Sequence, residues 1–330
     1  MDKAVYAGID VGLEQLTVAV HGHSSWDRPR EFANTKRGHQ QLIRFLQRCG
    51  AVVHACLEPT STYHLALCYA LHEAAGCTVY VADPKAVRDF ALSRLRRAKT
   101  DRCDARELAD YLRLLEPTPW QPPRPAVLHL RCLARRAADV TQRCTALKSR
   151  RHSAAHGLAP AAVLRDLKKE LHEQTRRLQQ LRREMLHLVC HDAELQQHYQ
   201  LLLSVKGIAM ITALKLLAEL SMLPAGLGKG QWVSSAGLDP QPRESGKAVH
   251  RPRRLSKRGN AHLRYALFMP VLSATRHCPA VRAYYQKLLA RGVAKLAALC
   301  AVMRKLLQAI WGMFQTNTPF NPARFCQPTR

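Results

Sequence analysis

The sequence predicts an α/β domain at its amino-terminal end, followed by a mainly helical remainder. Three observations carry this. Over the first 115 residues, short strand-like runs alternate with helical ones. Residues 117–125 (PTPWQPPRP) then hold five prolines in nine positions, which neither a helix nor a central strand tolerates. Beyond them the charge balance changes: residues 1–117 carry 16 basic and 14 acidic groups, and the other 213 carry 35 and 10. At 330 residues the chain is long enough for two or three domains, and 47% hydrophobic content is too apolar for a disordered basic tail. A net charge of +27, nearly all of it in the remainder, points to a polyanionic partner, nucleic acid above all.

In chain order, Val5–Asp10 and Leu16–Gly22 read as strands joined by a turn around Gly12, with Glu31–Asn34 as a third. A helix over Gln40–Arg48, a strand Val52–Glu58, a helix Tyr63–Ala75 and a strand Thr78–Ala82 come next. Helical periodicity follows from Lys85 to Leu115. Close early strands predict an antiparallel start, and the later alternation predicts parallel crossovers. Together they give a mixed sheet of the ribonuclease H type over residues 1–117.

Residues 118–200 read as the proline-rich linker and a helical hairpin. Apolar residues recur three and four apart at Leu130, Leu133, Ala137, Val140, Cys144 and Leu147, and again from Leu164 to Leu188 with the polar Gln174 among them. HGLAP at 156–160 lets the chain reverse between the two series. Such a seam serves as an internal spacer or as a subunit interface. Residues 201–330 form the third part, where LLLSVKGIAMITALKLLAEL reads as two helices around a turn at Val205–Ile208, a helix-hairpin-helix-like element that offers backbone N–H groups to phosphate.

Several classes drop out. MDKAVYAGID is not a secretory signal, and Lys or Arg interrupts apolar runs such as VAKLAALCAVMRKLL, so no membrane span is expected. Eleven scattered cysteines with no C-x-x-C pair read as reduced thiols in a cytoplasmic protein. GLGKGQ at 226–231 lacks the ending of a phosphate loop, and HEAAG and HEQTR lack the second histidine of a zinc protease helix.

Two constellations carry chemistry. Asp10 ends the first strand between Gly8 and Gly12, Glu58 ends the fourth before Pro59, and Asp101 and Asp104 share a face of one helix. Taken singly, these acids are ordinary turn and first-turn residues. Jointly they are hard oxygen ligands for Mg²⁺, two ions at a site being able to stabilise the attacking and leaving oxygens of a phosphodiester. The second constellation is Ser245–Gly246 in a basic block made of Arg243, Lys247, Arg251, Arg253, Arg254, Lys257, Arg258 and Arg264, with Glu244 its one acid. This is either a solvated basic loop or a serine brought against phosphate, where a base, a metal or positive charge must activate it. Ser234, Ser235 and Ser256 are the fallback nucleophiles.

GIDVG, LEPTSTYH and KTDRCDA, followed by SVKGI, AGLDP, ESGK and LSKRGNAHLR, resemble the insertion-sequence transposases of the IS110 type, related to pilin-gene invertases. The resemblance runs in the family's order over nearly the whole chain. Lys206 and Ala209 depart from it, standing where the family's hairpin reads Pro and Gly. It implies a RuvC-like DEDD domain whose Asp10, Glu58, Asp101 and Asp104 hold Mg²⁺ (or Mn²⁺), and a carboxy-terminal transposase domain whose Ser245 attacks DNA covalently. It also implies a structured bridge RNA pairing with donor and target DNA, and homodimers that assemble into a tetramer on synapsis. A water-using junction or strand nuclease and a non-catalytic nucleic-acid scaffold are the alternatives.

Overall fold

The computed structural model describes residues 4–60, 62–94, 101–241, 244–245, 249–250 and 254–325, and at 101–103, 244–245 and 249–250 the backbone alone. The chain divides into two compact units, Met1–Pro122 and Pro123–Arg330.

In the first unit, β1 (Ala4–Val11), β2 (Gln15–Val20), β3 (Arg30–Ala33), β4 (Val52–Leu57) and β5 (Cys77–Val81) form one sheet in the order β3-β2-β1-β4-β5. The β1–β2 and β2–β3 pairs are antiparallel, and β1–β4 and β4–β5 are parallel, the mixed sheet that the sequence predicts. Alternation along β1 gives each face its own core. Val5, Ala7, Ile9 and Val11 pack with Leu42 and Leu46 of α1 (Lys36–Cys49) and Leu67 and Leu71 of α2 (Leu65–Glu73). On the other face Tyr6, Cys56 and Tyr80 pack with Val87 of α3 (Pro84–Ser93) and Leu108, Tyr111 and Leu112 of α4 (Asp101–Leu115). The helical run expected from Lys85 to Leu115 is thus two helices. The proline-rich run begins docked on this unit: the Trp120 N–H donates to the Val79 carbonyl at 2.7 Å, and the indole meets Tyr69 and His72 edge-on.

The second unit is helical. α5 (Pro125–His156) and α6 (Ala161–Cys190) pack along each other, with Leu130, Ala137, Val140, Cys144 and Leu147 buried and Leu164, Leu167, Leu171 and Gln174 half-buried. The hairpin ends at Cys190, earlier than expected, and its seam continues into one core with α7 (Ala193–Leu203), α8 (Met210–Leu220), α9 (Lys229–Ser235), α10 (Ala261–His277), α11 (Pro279–Ala290) and α12 (Lys295–Thr316). A short α13 (Pro322–Phe325) closes the described chain. In the turn between α7 and α8, Gly207 has φ +107° and lies against α10. A side chain there would begin 2.7 Å from the Pro270 carbonyl oxygen. By length and apolarity alone α12 would suffice to cross a membrane. Its Leu299, Val302, Leu306, Leu307 and Ile310 are buried in the core of the unit.

Candidate functional site

The acids are placed by strand register. Gly8 of β1 lies opposite Cys56 of β4, and Ile9 opposite Leu57, so Asp10 and Glu58 occupy neighbouring positions at the ends of two adjacent parallel strands. Two residues beyond Gly8 and Cys56, they also lie on the sheet face that α4 covers. At Gly8 the helix backbone nearly touches the strand: an added Cβ would sit 1.9 Å from the Ala105 carbonyl oxygen and 2.5 Å from the Ala109 nitrogen. Glycine is the residue that permits this approach.

His54 stacks on Tyr6 and its Nδ1 lies 3.0 Å from the Tyr80 hydroxyl. Burial lowers the His54 pKa, while Glu116, just past the end of α4, pushes it back up. Burial raises the Tyr80 pKa, and Tyr6, Glu116 and Cys56 push the same way. The middle of α4 lies over Gly8, at Ala105, Leu108 and Ala109, and Tyr111 and Leu112 pack in the cluster that Tyr6 joins. Asp104 is half-buried, and the Asp101 side chain lies outside the described atoms. Asp10, Glu58 and Asp104 each engage a neighbouring group. Among the described residues no three carboxylate, imidazole or thiol groups stand close enough together to hold an ion. The donors on this face fit a hard divalent cation in kind. The adjacent Cys56 thiol, pushed up to about 12 by burial and then by Glu58, stays protonated.

Ser245 lies on a β-ribbon, not in an irregular loop. β6 (Pro240–Gln241) pairs with β9 (Arg254–Leu255), and β7 (Glu244–Ser245) with β8 (Val249–His250), with Ser245 opposite Val249. Of the predicted basic contacts, Arg254, Lys257 and Arg258 are exposed, while Arg243, Lys247, Arg251 and Arg253 lie outside the described residues, as does Gly246. Arg264 has an internal task that its charge alone does not reveal: Nη1 donates to the carbonyls of Ala236 (2.9 Å) and Gly259 (3.1 Å). Among the fallback serines, Ser234 is exposed, Ser235 is half-buried, and the Ser256 hydroxyl donates to the Asp239 carboxylate.

One group escaped the sequence reading. Glu219 of α8 is 3% exposed and receives Arg135 Nε on Oε1 at 2.8 Å and Arg135 Nη2 on Oε2 at 3.2 Å. Asn260 Nδ2 donates to Oε2 at 2.6 Å, and Arg131 Nε stands 3.5 Å away. Burial pushes the Glu219 carboxyl up, but these hydrogen bonds and the charges of Arg135 and Arg131 outweigh it and hold the group below its ordinary value. The signal was an acid in the otherwise apolar LLAEL; nothing local names its partners, which are 84 and 41 residues away.

Residues 7–160 match a family described as a transposase, of the DEDD IS110 type, and residues 199–286 match the transposase IS116/IS110/IS902 family. The chain is 26% identical over 325 residues to the pilin gene-inverting protein of Moraxella bovis, covering 96% of this chain and 97% of that one. The pilin gene-inverting protein of Moraxella lacunata matches to the same extent. An uncharacterized 42 kDa protein of insertion element IS900 from Mycobacterium paratuberculosis is 29% identical over 131 residues, 38% of this chain and 32% of that one.

Proposed function

The chain belongs to the IS110-type DEDD transposases, enzymes that recombine DNA, and from that premise we propose that it excises and inserts a mobile element by RNA-guided strand exchange. The strand order β3-β2-β1-β4-β5 supports a ribonuclease H-like, RuvC-like first unit. The observation that carries the reading is the shared face: Asp10 and Glu58 end adjacent strands, beneath the helix that bears Asp101 and Asp104. These four carboxylates would hold Mg²⁺, two ions at full occupancy with Mn²⁺ as a substitute. A divalent cation held there would supply charge neutralisation to the phosphodiester undergoing exchange.

Ser245 Oγ attacks phosphorus, the bond from phosphorus to the departing DNA oxygen breaks, and that oxygen takes up a proton. One phosphodiester is exchanged for another, so a free DNA hydroxyl from the partner strand can attack in turn, release the serine and reseal the backbone. The exposed Arg254, Lys257 and Arg258 contact the nucleic acid, with Arg243, Lys247, Arg251 and Arg253 of the same block. A structured bridge RNA supplies the sequence specificity by pairing with donor and target. The α5–α6 hairpin joins copies into a dimer, two dimers form the synaptic tetramer, and the protein works in the cytoplasm on the nucleoid.

The test is a denaturing gel of labelled donor DNA incubated with protein, copurified RNA and Mg²⁺. Wild type should retain label covalently, and Ser245→Ala should bind DNA and RNA yet retain none. An adduct that persists in Ser245→Ala would move the attack to Ser234, Ser235 or Ser256. Cleavage with no adduct in wild type would favour the water-using nuclease.

A further inference from the structure

The arms of the Ser245 ribbon are short, yet their base is fixed many times over. Below the Gln241–Arg254 rung, the Ser256 N–H donates to the Asp239 carbonyl at 2.9 Å and the Lys257 N–H to the Gly237 carbonyl at 3.1 Å. Arg264 clips Ala236 to Gly259. Where the arms cross, a Cβ on Gly259 would lie 2.5 Å from the Ser235 oxygen and 2.6 Å from the Gly237 nitrogen, so only a bare backbone fits. Asn260 then ends the second arm. Its N–H donates to the Ser235 carbonyl at 2.7 Å, and its Oδ1 caps α10 by accepting from the N–H groups of His262 and Leu263. Its remaining donor, Nδ2, goes to buried Glu219.

We propose that Glu219 and Asn260 are positioning residues for Ser245. The carboxylate, held by Arg135 and Arg131 of α5, fixes the foot of the ribbon and so the line along which the serine meets the phosphodiester. The inference rests on Ser245 being the attacking group.

Two physical arguments support it. An apolar side chain in the LLAEL helix would fill the same space without burying charge, so the ion cluster contributes geometry more than stability. Second, Ser245 lies within the segment whose two ends, Gln241 and Arg254, pair at that foot, so the approach of the serine starts from there. A displacement of about 1 Å at a reacting atom costs on the order of 10²-fold in rate. The tether also ties the serine's foot to α5, one of the two hairpin helices.

Asn260→Ser and Asn260→Asp test this, because both keep an oxygen to cap α10 and so keep the fold. Asn260→Ser cannot reach Glu219, and Asn260→Asp sets a second carboxylate against it. Asn260→Ser should bind donor DNA within about twofold of wild type yet form the covalent adduct at least about tenfold more slowly. Asn260→Asp should be as slow near neutral pH and regain rate relative to wild type toward about pH 6, where one shared proton restores a hydrogen bond between the two carboxyl groups. Wild-type rates in both variants, or a deficit in Asn260→Asp that ignores pH, would overturn the proposal. Ser245→Ala, run alongside, separates the premise: an adduct there sinks the serine reading and this inference with it. A silent Ser245→Ala beside a fully active Asn260→Ser sinks the inference alone.

Discussion

The two halves of the proposed reaction centre are held by opposite means. Asp10 and Glu58 continue strands whose Ile9 and Leu57 have no exposure at all, and the helix bearing Asp101 and Asp104 is seated by close packing on Gly8. Ser245 stands on two-residue strands whose foot is held by carbonyl, amide, guanidinium and carboxylate groups. An acid that must share an ion with three others needs its backbone fixed from every side, and a hydrophobic core does that without adding charge to a crowded place. A serine that must reach DNA has to leave the core, and directional polar contacts are what can aim a projecting ribbon. The acid half should therefore be sensitive to volume, and the serine half to charge and proton uptake.

The largest effect expected removes an acid without touching the packing. Asp10→Asn should lower recombination by on the order of 10²- to 10³-fold while leaving DNA and RNA affinity nearly unchanged. A chelator should do the same to wild type. Recombination at the normal rate in either case, read as joined product per hour, would remove the acids from the mechanism.

A smaller effect isolates packing. Gly8→Ala must push α4 off the sheet, because its methyl would overlap the Ala105 carbonyl, and overpacking of this kind costs about 3 kcal/mol. In calorimetry the melting of the first unit should shift downward while that of the second stays in place. A Gly8→Ala protein with an unshifted first transition would show that α4 is not seated there.

The smallest effect is in pH and belongs to the second unit. With its folded pKa depressed, Glu219 contributes stability that is complete above the unfolded value of about 4.3 and is lost as pH falls through the lower folded value. His198, stacked on Phe314 and lowered by burial, adds an earlier loss beginning as pH falls below about 6.5. Acid titration of the second unit's melting temperature should show both steps, and Glu219→Gln should abolish the lower one alone. A lower step that survives in Glu219→Gln belongs to another carboxylate.

The same contrast decides what was legible in the sequence. The strands of the first unit announce themselves, because Val5, Ala7, Ile9 and Val11 alternate with residues of the other face and a buried sheet requires that period. Asp10 and Glu58 stand out as the polar ends of such runs. The seam of α5 and α6 is equally plain in its spacings. The ribbon around Ser245 left no such trace: strands of two residues have no period to read, and their pairing is set by Gly237, Gly259 and Asn260 at a distance. Arg264 looked like one more cation in a basic block because charge is local information and a bond to the Ala236 carbonyl is not. In α12, Arg304 and Lys305 interrupt the apolar run in the sequence but not the buried stripe of Val302, Leu306 and Ile310.

The contact at Gly8 has a consequence for the order of events in synthesis. The strand carrying Asp10 precedes in the chain the helix that packs on its face, which begins at Asp101. Closing a loop of that length adds little entropy beyond that of a shorter one, so docking is limited by when α4 is available and not by how far apart the partners are. A chain that stops before α4 lacks the helix that packs on Gly8.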